Sequence, residues 1–331
     1  MTAISGTADV DDDPDDSRGV AAWSRLRHIG AHEGSVGTRP DLAETGMDKV
    51  DRICVRAWKY SRAEFEPDWT AELKSSQWRE TSALAGSSAE SLMLGAAAYV
   101  EAVWHERAIK ADTEPKGMAL AQRYLADGAI ETAIGVGHRL ANFVVRVART
   151  STAAQVEIAK LTHRGTLGPT YVPFATDDND AWLSLNKETV KDLRKALDPS
   201  LHAASIDALR ELILSREWTA AVSIRAENFH RWRKEHEYVT GVDANSGNAH
   251  DIVDFDGKHT GRRVSGFGRR HKISDGLTAG TTEAAGDVIR RVAVAFDLIL
   301  TNTVATVLPK QHGGVTIDID RPEGFRIHRL P

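Results

Sequence analysis

The sequence has a single cysteine, Cys54, so no disulfide can form within the chain and no disulfide framework supports its fold. A lone cysteine reads as a small buried side chain, and it fits a reducing compartment such as the cytoplasm. Long apolar runs are also missing. The best stretch, Val292 to Leu300, is interrupted by Asp297 and falls short of the ~20 residues a membrane span needs. The first residues are acidic rather than a basic patch followed by an apolar segment, which argues against a signal peptide. No membrane association is expected. His-Glu-x-x-His, Gly-x-x-x-x-Gly-Lys-[Ser/Thr] and Gly-x-Ser-x-Gly are absent, and Gly135-Val-Gly137 opens no dinucleotide-binding pattern. No cofactor and no metal are therefore expected.

The chain does contain a globular composition, 41% hydrophobic and 27% charged over 331 residues. That is enough for one large domain or two ordinary ones. Asp9, Asp11, Asp12, Asp13, Asp15 and Asp16 crowd the start, with no Lys or Arg before Arg18. Residues 1–20 therefore read as a self-repelling, disordered tail. Setting those six aspartates aside leaves 42 basic against 41 acidic side chains. Any affinity for nucleic acid must then come from local patches rather than net charge.

Helical periodicity dominates. Residues 88–111 and 117–149 read as helices. So does 201–236, with a kink at Ser215, and so does 281–308. In the last of these Ile289, Val292, Phe296, Ile299, Thr303 and Val307 form one apolar stripe. Residues 187–197 read as a short helix stopped by Asp198-Pro199, with Ser200 as the cap of the next. Met47 to Tyr60 fits either helix or strand. In 117–149, Tyr124, Ile130, Ile134, Phe143 and Val147 recur at roughly helical spacing. Gly128, Gly135 and Gly137 weaken that helix unless they let another helix approach. Asp256-Gly257 signals a hairpin, and Val315–Ile319 with Phe325–His328 suggests a small C-terminal one. The expectation is an all-α fold, a bundle of four or more main helices. Its parts would be a tail at 1–20, an N-terminal elaboration at 21–87, a bundle at 88–310 and a hairpin or tail at 311–331.

Chemistry concentrates in Ile224-Arg225-Ala226-Glu227-Asn228-Phe229-His230-Arg231-Trp232-Arg233-Lys234-Glu235-His236. Guanidinium groups grip phosphate oxygens in a two-pronged way, and imidazole moves protons near neutral pH. Together they suit phosphodiester work without a metal. On a helix, Arg225 and His230 are about 140° apart around the axis, so meeting over one phosphate needs a bend, the long reach of Arg, or a second chain. A solvated helix end, with basic residues complementing the dipole, accounts for the same residues without any chemistry. A second basic segment, Lys258 to Lys272, carries Arg262, Arg263, Arg269 and Arg270, no acid, and Phe267 between two glycines. Charge there can track a backbone while the ring stacks on a base. A solvated loop, or a partner for the acidic tail, is the plainer account.

The Arg-x4-His spacing of Arg225 and His230, at the end of a helix and followed by an apolar final helix, resembles the HEPN superfamily over roughly residues 88–310. That resemblance implies a helical bundle acting on RNA, usually as a homodimer. In it Arg225 and His230 would be catalytic residues of a metal-independent endoribonuclease of toxin or defence type, and Asn228 a polar helper. Arg231, Arg233, Lys234, His236, Lys258, Arg262, Arg263, Arg269, Arg270 and Lys272 would bind nucleic acid. An inhibitor protein is left open. Ala226 departs from a position often polar in that family, which favours a non-catalytic RNA- or nucleotide-binding module. A helical protein-interaction scaffold is the third reading.

Overall fold

The computed structural model describes residues 39–62, 64–65, 75–111, 116–163, 182–230, 249–253, 258–265, 275–312, 315–318 and 326–329. The helices are α1 (Asp48–Ser61), α2 (Ser75–Ala111), α3 (Lys116–Ala148), α4 (Thr152–His163), α5 (Lys187–Ala196), α6 (Pro199–Leu214), α7 (Arg216–His230), α8 (Asp275–Asn302) and α9 (Leu308–Gln311). The described chain is an all-α bundle with small β appendages. Helix α3 is its hub and packs against α2, α8, α7 and α6. Helix α8 closes the core against α1, α2, α6 and α7.

Ile289, Val292, Phe296, Ile299, Thr303 and Val307 are all buried, as their spacing predicts. Helix α1 settles the ambiguity of Met47–Tyr60. It places Met47, Val50, Ile53, Cys54, Ala57 and Tyr60 in the same core, and Tyr60 meets Phe143 edge to face at 5.9 Å. Helix α2 begins at Ser75 rather than 88. Its Ser, Thr and Gly residues have low helix propensity, and tertiary burial of Ala85, Ala89 and Leu92 overrides that. The boundary expected at 87/88 therefore falls inside a helix, and α1 shares one core with the rest.

Three further expectations shift. Tyr124 is 69% exposed while Ile130, Ile134, Phe143 and Val147 are buried, because six residues from 124 to 130 turn the helix by about 240°. The cap of α6 is Asp198, whose carboxylate accepts from Ser200 N–H at 2.8 Å with Pro199 at the first helical position. At Ser215 the chain breaks rather than kinks. Its backbone is extended (φ −69°, ψ 149°), and its hydroxyl accepts from Trp218 N–H at 3.1 Å, starting α7 anew. Helix α4 fills part of the stretch before residue 164 that periodicity left unassigned.

After Asn302 the helix widens into a π turn over Thr303–Val307. Pro309 has no N–H to return to residue 305, and its ring needs room. The wider turn gives both, and Leu308 N–H reaches back five residues to Thr303 O. Gly280–Gln311 is the one described helix long and apolar enough to cross a membrane by length and composition, and 56% of its most apolar window is buried by the bundle. Asp297, the charge that interrupts it, is neutralised by Arg56 of α1 at 2.8 Å.

Strands β1 (Glu64–Phe65), β4 (Val315–Asp318) and β5 (Arg326–Arg329) form one sheet in the order β1-β5-β4, parallel then antiparallel. Strands β2 (Ala249–Val253) and β3 (His259–Ser265) pair antiparallel, with a register shift between Asp251 and Val253.

Two glycines of α3 separate what the sequence alone leaves together. A Cβ on Gly137 would overlap the Trp218 ring, whereas one on Gly135 meets nothing within 4 Å. Gly137→Ala should therefore destabilise the protein by about 1–3 kcal/mol through overpacking. Gly135→Ala should stabilise it by up to ~1 kcal/mol through helix propensity. Chemical denaturation of the two variants checks this; equal shifts of one sign would refute the close approach.

His202, in the first turn of α6, is 2% exposed, and its Nε2 finds no hydrogen-bond partner among the described residues. Burial, opposed by the nearby Asp198 charge, pushes its pKa down to about 4. The native ring is neutral while the unfolded chain takes up a proton below about 6.5. Its contribution is therefore complete above pH ~6.5 and is lost as pH falls toward 4, on the order of 3 kcal/mol at most. The loss of stability between pH 7 and 4.5 should be smaller in His202→Gln than in the wild type, measured by urea midpoints at each pH.

Candidate functional site

Helix α7 lies antiparallel along α3. Trp218 sits over Gly137 and meets the His138 ring edge to face at 6.2 Å. Two turns on, Arg225 Nε lies 2.9 Å from Glu131 Oε2. The seven-residue spacing of 218 and 225 on one helix thus matches that of 138 and 131 on the other. Continuing in this sense, the last turn of α7 runs toward the Asp127 end of α3.

The next turns of α3 hold residues 182–185, the segment that precedes α5. Leu185 N–H donates to His138 Nδ1 at 2.8 Å, which leaves the ring's own proton on Nε2. Asn142 clasps Leu183 from both sides, donating to its carbonyl at 2.8 Å and accepting from its N–H at 2.9 Å. Arg146 binds Glu80 of α2 and lies 5.9 Å over the ring of Trp182. Positions 138 and 142 lie one turn apart, so one ridge of α3 satisfies backbone groups of Leu183 and Leu185 that have no strand partner.

Charges in this groove perturb one another. Burial raises the pKa of Glu131, the Arg225 charge and hydrogen bond pull it down, and Asp127 pushes it up. Glu131 Oε1 is buried and accepts no hydrogen bond among the described residues. Burial lowers the pKa of His138, and the Arg225 charge lowers it further. Arg123 lies 3.8 Å from Asp127 one turn away. The groove thus holds a guanidinium, a carboxylate and a neutral imidazole within two turns of helix, a set able to hold an anion and to exchange protons.

Of the residues expected to matter, Arg225 is 45% exposed and ion-paired, and Ala226 is half-buried. Asn228 and His230 belong to the last turn of α7, and because α7 is helical through both, Arg225 and His230 keep their 140° separation. The side chains of Asn228 and His230, and all of Arg231, Arg233, Lys234 and His236, lie outside the described residues. Lys258 is exposed. Arg262 and Arg263 fall in β3, where Arg263 pairs with Asp251 in register, and their side chains too lie outside the description. So do Arg269, Arg270 and Lys272. The described residues therefore bring Arg225 together with Glu131 and His138, two residues that the motif did not include. Glu131 is 94 positions from Arg225 in sequence, and nothing short of the helix pairing marks it.

Among the described residues no group of three or more His, Cys, Asp or Glu side chains is gathered closely enough to hold a metal ion. No protein-family model, no curated protein and no solved structure matches the chain.

Replacing Arg225 by Gln removes a charge that holds down both neighbouring pKa values. In an NMR titration the His138 pKa should move up toward its ordinary value and that of Glu131 should rise as well. Folding stability should change by less than about 1 kcal/mol, since the ion pair is half in water. A His138 titration unmoved by the substitution would remove Arg225 from the imidazole's surroundings.

Proposed function

We propose that this chain is a HEPN-like protein that acts on RNA in the cytoplasm as a homodimer, with metal-independent endoribonuclease chemistry of toxin or defence type. The observation that carries the reading is Arg225. It is a half-exposed guanidinium near the end of a bundle helix, and it is already bound to the carboxylate of Glu131 at 2.9 Å. A phosphate can take the carboxylate's place, because both present paired anionic oxygens to the same fork. In the proposed step the ribose 2′-oxygen attacks the adjacent phosphorus and the bond to the 5′-oxygen breaks, leaving a cyclic phosphate and a free 5′-hydroxyl. Arg225 stabilises the charge on the phosphoryl oxygens, His230 transfers the proton, and Asn228 supports it. Because the two positions diverge on one helix, a groove between two chains is the arrangement that joins them. The basic residues from Arg231 to His236 and from Lys258 to Lys272 would track the RNA backbone.

A second reading, an RNA- or nucleotide-binding module without cleavage, is favoured by two observations. Ala226 offers no polar side chain to the imidazole, and Glu131 competes for Arg225. One assay separates the two. Labelled RNA is incubated with the purified protein in chelator, and both retention and product ends are read. Cleavage should leave cyclic phosphate ends, and Arg225→Ala or His230→Ala should lower it by at least 10²-fold, the usual effect of losing one such group. Salt-sensitive retention with intact RNA would establish the binding module instead. Undiminished cleavage in both variants would rule out this site.

A further inference from the structure

Helices α5 and α6 form a short antiparallel hairpin linked at Leu197–Asp198, and an open cleft of about 260 Å³ runs between them. Lys187, Val190, Lys191 and Arg194 line it from α5, at the spacing of one helix face. Arg210, Ile213 and Leu214 line it from α6. Four of the seven lining residues are cations and none is acidic. Val190 and Ile213 are largely buried, while Leu214 is 54% exposed, giving an apolar floor with an uncovered edge. Arg194 is held by Asp207, and Lys191 by Glu188 at 3.5 Å. Lys187 and Arg210 have no ion-pair partner among the described residues. Lys187 moreover occupies the first turn of α5, where a cation works against the helix dipole. Such a cleft suits an occupant that is densely acidic and carries a small apolar group.

The chain itself contains one. Asp9-Val10-Asp11-Asp12-Asp13-Pro14-Asp15-Asp16 places six carboxylates around Val10 and Pro14. The 22 residues between Asp16 and Arg39 can span about 75 Å when extended, several times the ~20 Å radius of gyration of a domain this size. We propose that this acidic segment docks in cis on the α5–α6 cleft, its aspartates on Lys187 and Arg210 and Val10 over Val190 and Leu214. The rest of the chain is close to charge-balanced, so the attraction is local and salt-sensitive.

The test uses the full chain. Cys54 is fully buried, so Ser17→Cys gives a single reactive thiol for a nitroxide beside the segment. At low salt, ~0.01 M, the label should broaden the amide signals of residues 187–194 and 210–214. Broadening should vanish at ~1 M salt, in the surface double variant Lys187→Glu/Arg210→Glu, and when the six aspartates become asparagine. Circular dichroism should show both variants folded. No broadening on α5 and α6, or broadening confined to residues 258–265, would overturn the proposal; the latter would mean that the segment prefers the basic β3 region. Isotope-labelled chains without nitroxide, mixed with nitroxide-bearing unlabelled chains, report contact between molecules. Broadening confined to that mixture would identify a second copy as the occupant and defeat the cis assignment.

Discussion

The indole of Trp218 lies where a side chain on residue 137 would be. That single absence sets the distance between α3 and α7, and most of the candidate site follows from it. With the ring seated on Gly137, the two helices run antiparallel in fixed register, and Arg225 arrives over Glu131 two turns later. The ring also closes one side of His138, whose Nδ1 is committed to Leu185 N–H. Packing and the nearby guanidinium therefore both favour the neutral imidazole. A bulkier residue at 137 would move α7 away and change all three relationships at once, because close-packed interiors transmit displacement rather than absorb it.

The bundle could be read from the sequence where one face is uniformly apolar. Helix α8 is the clearest case, since a period of 3.6 and a fully buried stripe are the same fact in two forms. Reading failed where tertiary burial overrode local preference, as in the Ser-rich first half of α2. It also failed where one residue in a pattern belonged to another face, as with Tyr124. Gly137 was legible as a question, namely whether an approaching helix used it, but its answer depends on Trp218, 81 positions away. The site was half legible. Residue type and spacing single out Arg225, yet a pairwise contact such as Arg225–Glu131 leaves no periodic trace, so no window of sequence contains it.

The charges of the described bundle are mostly compensated in place. Arg56 meets Asp297, Arg39 meets the buried Glu101, and Arg225 meets Glu131. This local pairing fits a chain whose acidic and basic residues nearly balance once the first sixteen positions are set aside. It also constrains the RNA reading. A phosphate reaching Arg225 enters a neutral pair, not an open cation, and must displace Glu131. The displacement is easier than it first looks. The pKa of Glu131 is already raised by burial, and departure of its guanidinium partner raises it further, so the released carboxylate can take a proton instead of standing as a buried negative charge.

That exchange gives the proposed site a sense of direction. Binding of phosphate and protonation of Glu131 favour one another, so anion affinity at Arg225 should strengthen as pH falls toward the carboxylate's raised pKa. The same fall in pH charges His138, which costs it the Leu185 hydrogen bond and loosens the segment clasped along α3. Both protonations are coupled to the anion in the same sense, and Arg225 is the link between them, since its charge lowers both pKa values. An anion that neutralises Arg225 therefore also lifts the pKa of His138. On the RNA reading the α3 ridge would register whether the phosphate position is filled, although His138 need not touch the ligand.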